Sequence, residues 1–319
     1  MALKLALISM FGEAVTWKPV VSTITPCFRM DKYLQTFLEQ LPNQSIFEDL
    51  EVFLDLNEPS QDELSKALKF QSLYGPHLHV NVVNKVDPIG VSMNRCIDKS
   101  KGELLAIWNV DDLRTNFSLE DQVLTLNNNS KAGFVYGPYN VVNIFGQTQG
   151  KLVDNRNLDT RSFNKGMAAG PFFLFPRSHL AKVGPFDEQF KSGADFDLIQ
   201  RLLTVGDPAS TEKLLGYYLD EGLGASTRTN SLQPIERTVI EIRYGHLDSV
   251  DLLYLDSVAD YNPSKMLVDG KWRSMNEVLP NYREIRETNS MAFKKNLIFR
   301  QLIKRTFRKL IRLTLSLRR

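Results

Sequence analysis

Between residues 20 and 109 the sequence keeps switching period, and no other feature restricts the fold as strongly. Apolar or β-branched runs, VVSTIT (20–25), LEVFLDL (50–56), HVNVVN (79–84) and ELLAIWN (103–109), read as strands. Between them lie DKYLQTFLEQL (31–41), SQDELSKALKFQSLY (60–74) and VSMNRCIDKS (91–100), whose apolar residues recur at helical spacing. Ser60 and Glu63 stand in capping-box positions at the head of the second helix. Strands and helices alternating at this spacing predict an α/β fold with a mainly parallel, doubly wound sheet. After about residue 130 the pattern loosens. GFVYGPYNVVNIFG (133–146) has strand composition with hairpin-like punctuation, and 147–169 reads as a loop. GPFFLFP (170–176) and KLLGYYL (213–219) read as strands, SGADFDLIQRLLTVG (192–206) as a helix, and 222–231 as a loop. Residues 232–289 mix helical patterns with loops and hold no recognisable motif.

The fourth strand runs straight into two adjacent carboxylates, Asp111 and Asp112, in AIWNVDDLRTNF. Like charges side by side repel, so a compensating partner is expected. Helix capping does not explain them, because Ser118 and Asp121 supply a capping box for the helix that follows. The pair is left at the C-terminal end of a strand, where open α/β sheets bind ligands.

Charge is uneven along the 319 residues. From Met291 to the end there are ten Lys or Arg and no Asp or Glu, whereas residues 1–290 carry a net charge of −8. Drawn as a helix, the tail sets Phe299, Leu302, Ile303, Phe307, Leu310, Leu313 and Leu317 on one face and Arg300, Lys304, Arg305, Arg308 and Arg312 on most of the other. That pattern suits an anionic membrane surface, or a helix that lays its apolar face on the body or a second subunit. Nucleic acid is not an expected partner, since the body is acidic and lacks a basic groove studded with aromatics. The cysteines, Cys27 and Cys96, form no metal-type spacing or disulfide framework, and there are only four histidines. No run reaches the length of a membrane span. The opening MALKLALISMF lacks a following small-residue cleavage site, so a cytoplasmic protein, peripheral on the membrane face, is expected.

The block VNKVDPIGVSMNRCIDKSKGELLAIWNVDDLR (83–114) resembles the centre of the family-2 inverting glycosyltransferases, which have the GT-A fold. Gly90, Asn94, Ser100-Lys-Gly-Glu103, the strand LLAIW and Asn109-Val-Asp-Asp112 stand in the family's order. VVSTITPCFRMDKYLQTFLEQLPNQ is similar to its first strand, nucleotide-contacting turn and helix, and LEVFLDLNEPSQDE to its second strand. PFFLFPRSHLAKVGPFDEQFKSGADFDLIQRL is similar to its acceptor-side block.

The resemblance covers residues 18–225, leaves 226–289 as a C-terminal extension, and leaves 290–319 as the basic tail. It implies a nucleotide-diphosphate sugar donor, a glycan or lipid-linked acceptor, and Mn²⁺ or Mg²⁺ bridging carboxylate and diphosphate. It assigns Asp111 to the metal; Thr25, Pro26, Asp55, Asn94, Asn109 and Asp112 to the donor; and Asp195 to general-base catalysis. Helix-terminal N–H groups are expected to favour the ionised form of Asp195. Asp197 is expected to be an ordinary first-turn acid. Arg201 could serve an ion pair or the substrate, Arg95 a solvated helix face or the diphosphate, and Trp108 the core. His179 or His246 could add a third metal ligand, although a lone His is usually structural. The glycine-rich stretch 221–226 could be a lid or a simple turn.

Two departures stand out: Asn109 replaces the first acid of the Asp-x-Asp motif, and Ala194 replaces the Glu of the family's Glu-Asp pair. They favour the main alternative, a degenerate relative that binds a sugar or scaffolds a membrane complex. A sugar-phosphate nucleotidyltransferase is disfavoured, because TPCFRM is not the glycine-rich loop that chemistry needs. The Gln-x-x-Arg-Trp signature of processive synthases is absent, so single sugar addition is expected.

Overall fold

The structure, a computed structural model, describes residues 17–222 and 231–291. A seven-stranded sheet runs in the order β10-β6-β9-β4-β1-β2-β3, with β1 Val21–Cys27, β2 Leu50–Asn57, β3 Leu78–Val83, β4 Leu104–Ile107, β6 Phe134–Tyr136, β9 Leu174–Pro176 and β10 Pro208–Ser210. Strands β1 to β4 pair parallel, as expected, while β9 runs antiparallel to β4 and β6. Two apolar clusters make up the core. One holds Ile24, Phe53, Ile107 and Phe175, and the other Leu34, Phe37, Leu54, Ala67 and Trp108. The expected doubly wound α/β architecture is present.

The chain leaves β1 toward β2 and β3, then returns to lay β4 on the other side of β1. Such a reversal opens a crevice at the carboxyl ends of the two strands. Thr25 and Pro26 lie near that end of β1, just before Cys27, and Asn109 to Asp112 follow β4.

Local signals hold where they are self-contained. Ser60 Oγ accepts Glu63 N at 3.0 Å and the Glu63 carboxylate accepts Ser60 N at 2.9 Å, so that capping box forms. The box expected at Ser118 does not. The Ser118–Asn128 helix begins one residue earlier than the box requires, with Asp121 N bonded to the Phe117 carbonyl. Ser118 Oγ instead accepts Arg114 Nη1 at 2.6 Å, because a buried guanidinium has to find acceptors. The expected hairpin also moves. Strands β6 and β7 (Tyr139–Val142) lie in different sheets, and β7 pairs antiparallel with β8 (Lys151–Val153) inside the stretch that reads as a loop. Gly137, between the two strands, leaves room for Thr211, since a Cβ there would lie 2.1 Å from Thr211 Oγ1. With β5 (Leu113–Arg114) and β11 (Gly216–Leu219), β7 and β8 form a four-stranded sheet ordered β5-β11-β7-β8, which meets the turn after β4 through Leu219 N and Asp112.

The C-terminal extension has a helix at Gln233–Tyr244, a hairpin of Lys265–Val268 with Lys271–Ser274, and a last helix over 282–291. The hairpin is absent from the sequence reading. Val239, Ile240, Tyr244, Met266 and Met275 belong to the same cluster as Ile24 and Phe53, so the extension shares its core with the main sheet. Among the described residues no helix is long and apolar enough to cross a membrane. The tail beyond residue 291 and most of the glycine-rich stretch lie outside the described residues.

Candidate active site

The two adjacent carboxylates face different environments. Asp112 is buried, accepting Asn109 Nδ2 at 3.0 Å and Leu219 N at 3.3 Å, while its carbonyl accepts the Trp108 indole N–H at 3.1 Å. Trp108 is therefore both core and brace. Burial, then the charge of Asp111, pushes the Asp112 carboxyl well above the usual range. Asp111 is half-buried, and among the described residues no side chain bonds to its carboxylate. Burial pushes it up, its own backbone N–H pulls the other way, and the charge of Glu221 pushes it up again.

Beneath the turn lies Arg114, stacked between Trp108 and Phe172 at 5.5 and 5.0 Å and pulled down to about 9 by burial. Its Nη2 donates to the Ile107 carbonyl at 2.8 Å, which ties the turn to the end of β4. At the rim Glu221 pairs with Lys32 at 2.8 Å and accepts the Tyr33 hydroxyl at 2.8 Å. The two like charges thus have separate surroundings. Asp112 is turned inward with a donor on each oxygen, and Asp111 has no side-chain partner among the described residues.

The other candidates divide. Thr25 is buried with its hydroxyl unpartnered among the described residues, and Pro26 pairs in register with Asp55. Asp55 is committed internally, accepting Asn81 Nδ2, Ser92 Oγ, Asn57 Nδ2 and the guanidinium of Arg95, whose Nη2 lies 2.8 Å away. Arg95 also pairs with Asp87 at 2.9 Å, so it is neither a solvated face nor an open diphosphate ligand. Asn94 is spent as a clamp, donating to the Phe186 carbonyl at 3.0 Å and to Glu188 at 3.1 Å and accepting Phe186 N at 2.8 Å. Asn109 binds Asp112 through its amide nitrogen. Thr25, Pro26, Asn109, Asp111 and Asp112 gather at the crevice; Asp55 and Asn94 lie in packed networks next to it.

Asp195 sits in the first turn of the Ala194–Leu202 helix and lines a cavity of about 280 Å³ with Phe196, Met167, Arg237, Glu241, Asp251 and Tyr254. The helix N–H of Phe196 donates to its Oδ1 at 2.7 Å and favours ionisation, as expected. Burial wins, however, and raises Asp195 to about 6. Asp197 and Arg201 are fully buried and paired at 2.8 Å, so the ion pair holds for Arg201. Asp197 is no ordinary first-turn acid: it also binds Arg243 at 2.7 Å.

His179 Nδ1 lies 3.1 Å from the Gly133 carbonyl and His246 Nε2 lies 2.9 Å from Gln200 Oε1, so both are structural. Among the described residues no three His, Cys, Asp or Glu side chains converge to hold a metal. The sequence reading missed Glu236, Arg237, Glu241 and Tyr254, all from the stretch without a motif. The sequence there shows only mixed helical patterns and loops, which carry no signal for these residues.

Residues 22–184 match the family described as "Glycosyl transferase family 2". Two proteins called "Uncharacterized glycosyltransferase" are similar: one from Rickettsia felis, 23% identical over 62% of this chain and 33% of its own length, and one from Rickettsia bellii, 25% identical over 60% and 28%. The chain thus spans about a third of the length of these relatives. Among solved structures, S. aureus TarS 1-349 in complex with UDP-GlcNAc is similar with a TM-score of 0.57 at 17% identity, covering 74% of this chain and 68% of that one. The mannosyltransferase PcManGT from Pyrobaculum calidifontis, in complex with GDP-Man and Mn²⁺, has a TM-score of 0.52 at 15% identity, covering 73% and 65%. These likenesses support the GT-A fold. With the family match spanning half the sequence and the crevice lying where the topology requires, the chain belongs to glycosyl transferase family 2.

Proposed function

We propose that the protein moves one sugar from a nucleotide-diphosphate donor to an acceptor hydroxyl with inversion. Asp195 takes the hydroxyl proton, and the acceptor oxygen attacks the anomeric carbon from the side opposite the departing nucleoside diphosphate. One displacement with inversion needs a base but no protein nucleophile. The observation that carries this reading is the half-buried carboxylate of Asp111 at the strand ends of the crevice, without a side-chain partner among the described residues, in a chain that also presents a second raised carboxylate, Asp195, in a cavity.

A divalent cation fits that chemistry. Mg²⁺ is commonly bound by one or two carboxylates, waters and substrate phosphates rather than by an all-protein cage. Asp111 would hold it, with Asp112 keeping the turn in shape. The ion, when bound, offsets charge on the diphosphate. UDP- and GDP-linked sugars, the donors bound by the structural neighbours, are the first to try.

Calorimetry with UDP and GDP, with and without Mn²⁺, tests the assignment. Asp111→Ala is expected to abolish the metal-dependent part of nucleotide binding, and Asp112→Ala to weaken it less. Equal affinity with and without metal in the parent protein sinks the metal assignment. Nucleotide-sugar binding without turnover points to the degenerate relative.

The acceptor in this reading is a glycan or lipid-linked hydroxyl, presented at the cytoplasmic face of a membrane to which the basic tail 291–319 is drawn. Removing 291–319 is expected to release the protein from anionic vesicles while its cooperative melt is kept. A truncated protein that precipitates makes the tail part of the packed body instead.

A further inference from the structure

We infer that Glu236 is a positioning residue for Asp195: from the neighbouring Gln233–Tyr244 helix its carboxylate grips the turn Lys191–Gly193 and so fixes where Asp195 stands and how well it takes a proton. The inference rests on Asp195 being the base. Glu236 is fully buried. Its Oε1 accepts Lys191 N at 2.8 Å and the Tyr261 hydroxyl at 2.9 Å. Its Oε2 accepts Ser192 N and Gly193 N, each at 2.7 Å.

Three consecutive N–H groups at the mouth of a helix make a seat for an anion. Here the anion is a side chain delivered from another helix, and the seat is the turn that leads into Asp195. Four donors saturate the carboxylate, so Glu236 acts through Asp195 and does not itself take the substrate's proton. Gly193 belongs to the same fit, since a Cβ there would lie 3.2 Å from the Glu236 Cβ. Ala194 is buried and brings no charge to the turn. Glu236 supplies a carboxylate beside that turn from a distant part of the sequence, so the alanine does not by itself mark an inactive chain.

Around Asp195, its own helix contributes the Phe196 N–H; the Gln233–Tyr244 helix contributes Glu236, Arg237 and Glu241; the segment beyond contributes Asp251 and Tyr254. Arg237 is paired with Glu241 at 2.9 Å, which offsets both. The charge that raises Asp195, after burial, is Glu236. Fixed negative charge beside a carboxylate strengthens its hold on a proton.

The experiment follows the carboxyl carbon of Asp195 by NMR through a pH titration in the full chain, identified by its loss in Asp195→Asn, together with kcat and donor KM. Glu236→Gln removes the charge, and the Asp195 midpoint is expected to fall below the parent's. Glu236→Asp keeps the charge but is one methylene short; the midpoint is expected to stay, while kcat drops about tenfold or more at unchanged donor KM. Glu236→Gln with the parent's midpoint and kcat overturns the inference. If Glu236→Gln does not fold, Glu236→Asp decides, and a parental kcat there overturns it equally. A parent chain that transfers no sugar refutes the transferase reading alone, and the Asp195 midpoint in the variants then decides the clamp.

Discussion

Asp195→Asn is expected to cut turnover by about two to four powers of ten, the range typical of losing a general base, while donor binding stays nearly intact. Asparagine keeps the size of the side chain and removes only its basicity. The parent's rate should carry a matching signature. Burial raises Asp195 to about 6, so turnover is expected to fall as pH drops through 6 and to level off above it. The same shift has a stability consequence of opposite sense. A carboxyl whose folded pKa exceeds its unfolded value stabilises the fold while protonated, and loses that contribution as pH rises through the folded value. At neutral pH the ionised Asp195 is therefore a burden, and Asp195→Asn is expected to melt higher than the parent, the gap closing as pH falls from 6 toward 4. A variant both slower and more stable is what strain held for function produces. A rate unchanged by the substitution would move the chemistry elsewhere.

Arg243→Leu is expected to remove about 3–5 kcal/mol of folding free energy, read as a shift of the urea midpoint. Arg243 is fully buried and bonds Asp197 and Asp187, each at 2.7 Å, and the Lys265 carbonyl at 2.6 Å. Asp197 is bound in turn by Arg201 and by the Tyr244 hydroxyl at 2.9 Å. Burial alone would raise Asp197, but Arg201 and Arg243 outweigh it and hold it below the ordinary carboxylate range. Leucine fills much of the volume, leaves Asp187 buried without its cation and leaves Asp197 with Arg201 alone. Such a loss is a large part of the roughly 5–15 kcal/mol that stabilises a typical domain. A change below about 1 kcal/mol, the scale of an exposed pair, would show that water reaches the network. For the same reason Asp197→Asn is a poor control for Asp195→Asn, although the two residues are neighbours on one helix.

The elements that could be read from the sequence are those whose evidence is local. The alternating periods between residues 20 and 109 became the parallel half of the sheet, and Ser60 found Glu63 three residues away. The turn at Asn109 to Asp112 stood out because two carboxylates after an apolar strand break a pattern visible in a few residues. What was not legible is partner choice across long separations. Nothing near Ser118 announces that Arg114 will be buried and take its hydroxyl. Asn94 looks like a ligand residue until Phe186, ninety-two residues on, claims its amide. Glu236 lies in a stretch without a motif, and only the packed structure brings it to the turn at Lys191 to Gly193.

The shared core of the extension and the main sheet bears on how such a chain can diversify. Val239, Ile240 and Tyr244 pack with Ile24 and Phe53, and the helix that carries them also walls the Asp195 cavity with Arg237 and Glu241. The surface that would meet the acceptor and the apolar mass that holds the strands together are two faces of one helix. Grafting this segment between relatives would exchange the keel along with the cargo hold. New acceptor preferences are easier to reach by single replacements on the cavity side, at positions such as Tyr254 and Asp251, which lie outside the apolar cluster. Recombination at this boundary is then a poor route to new specificity, and gradual substitution the open one.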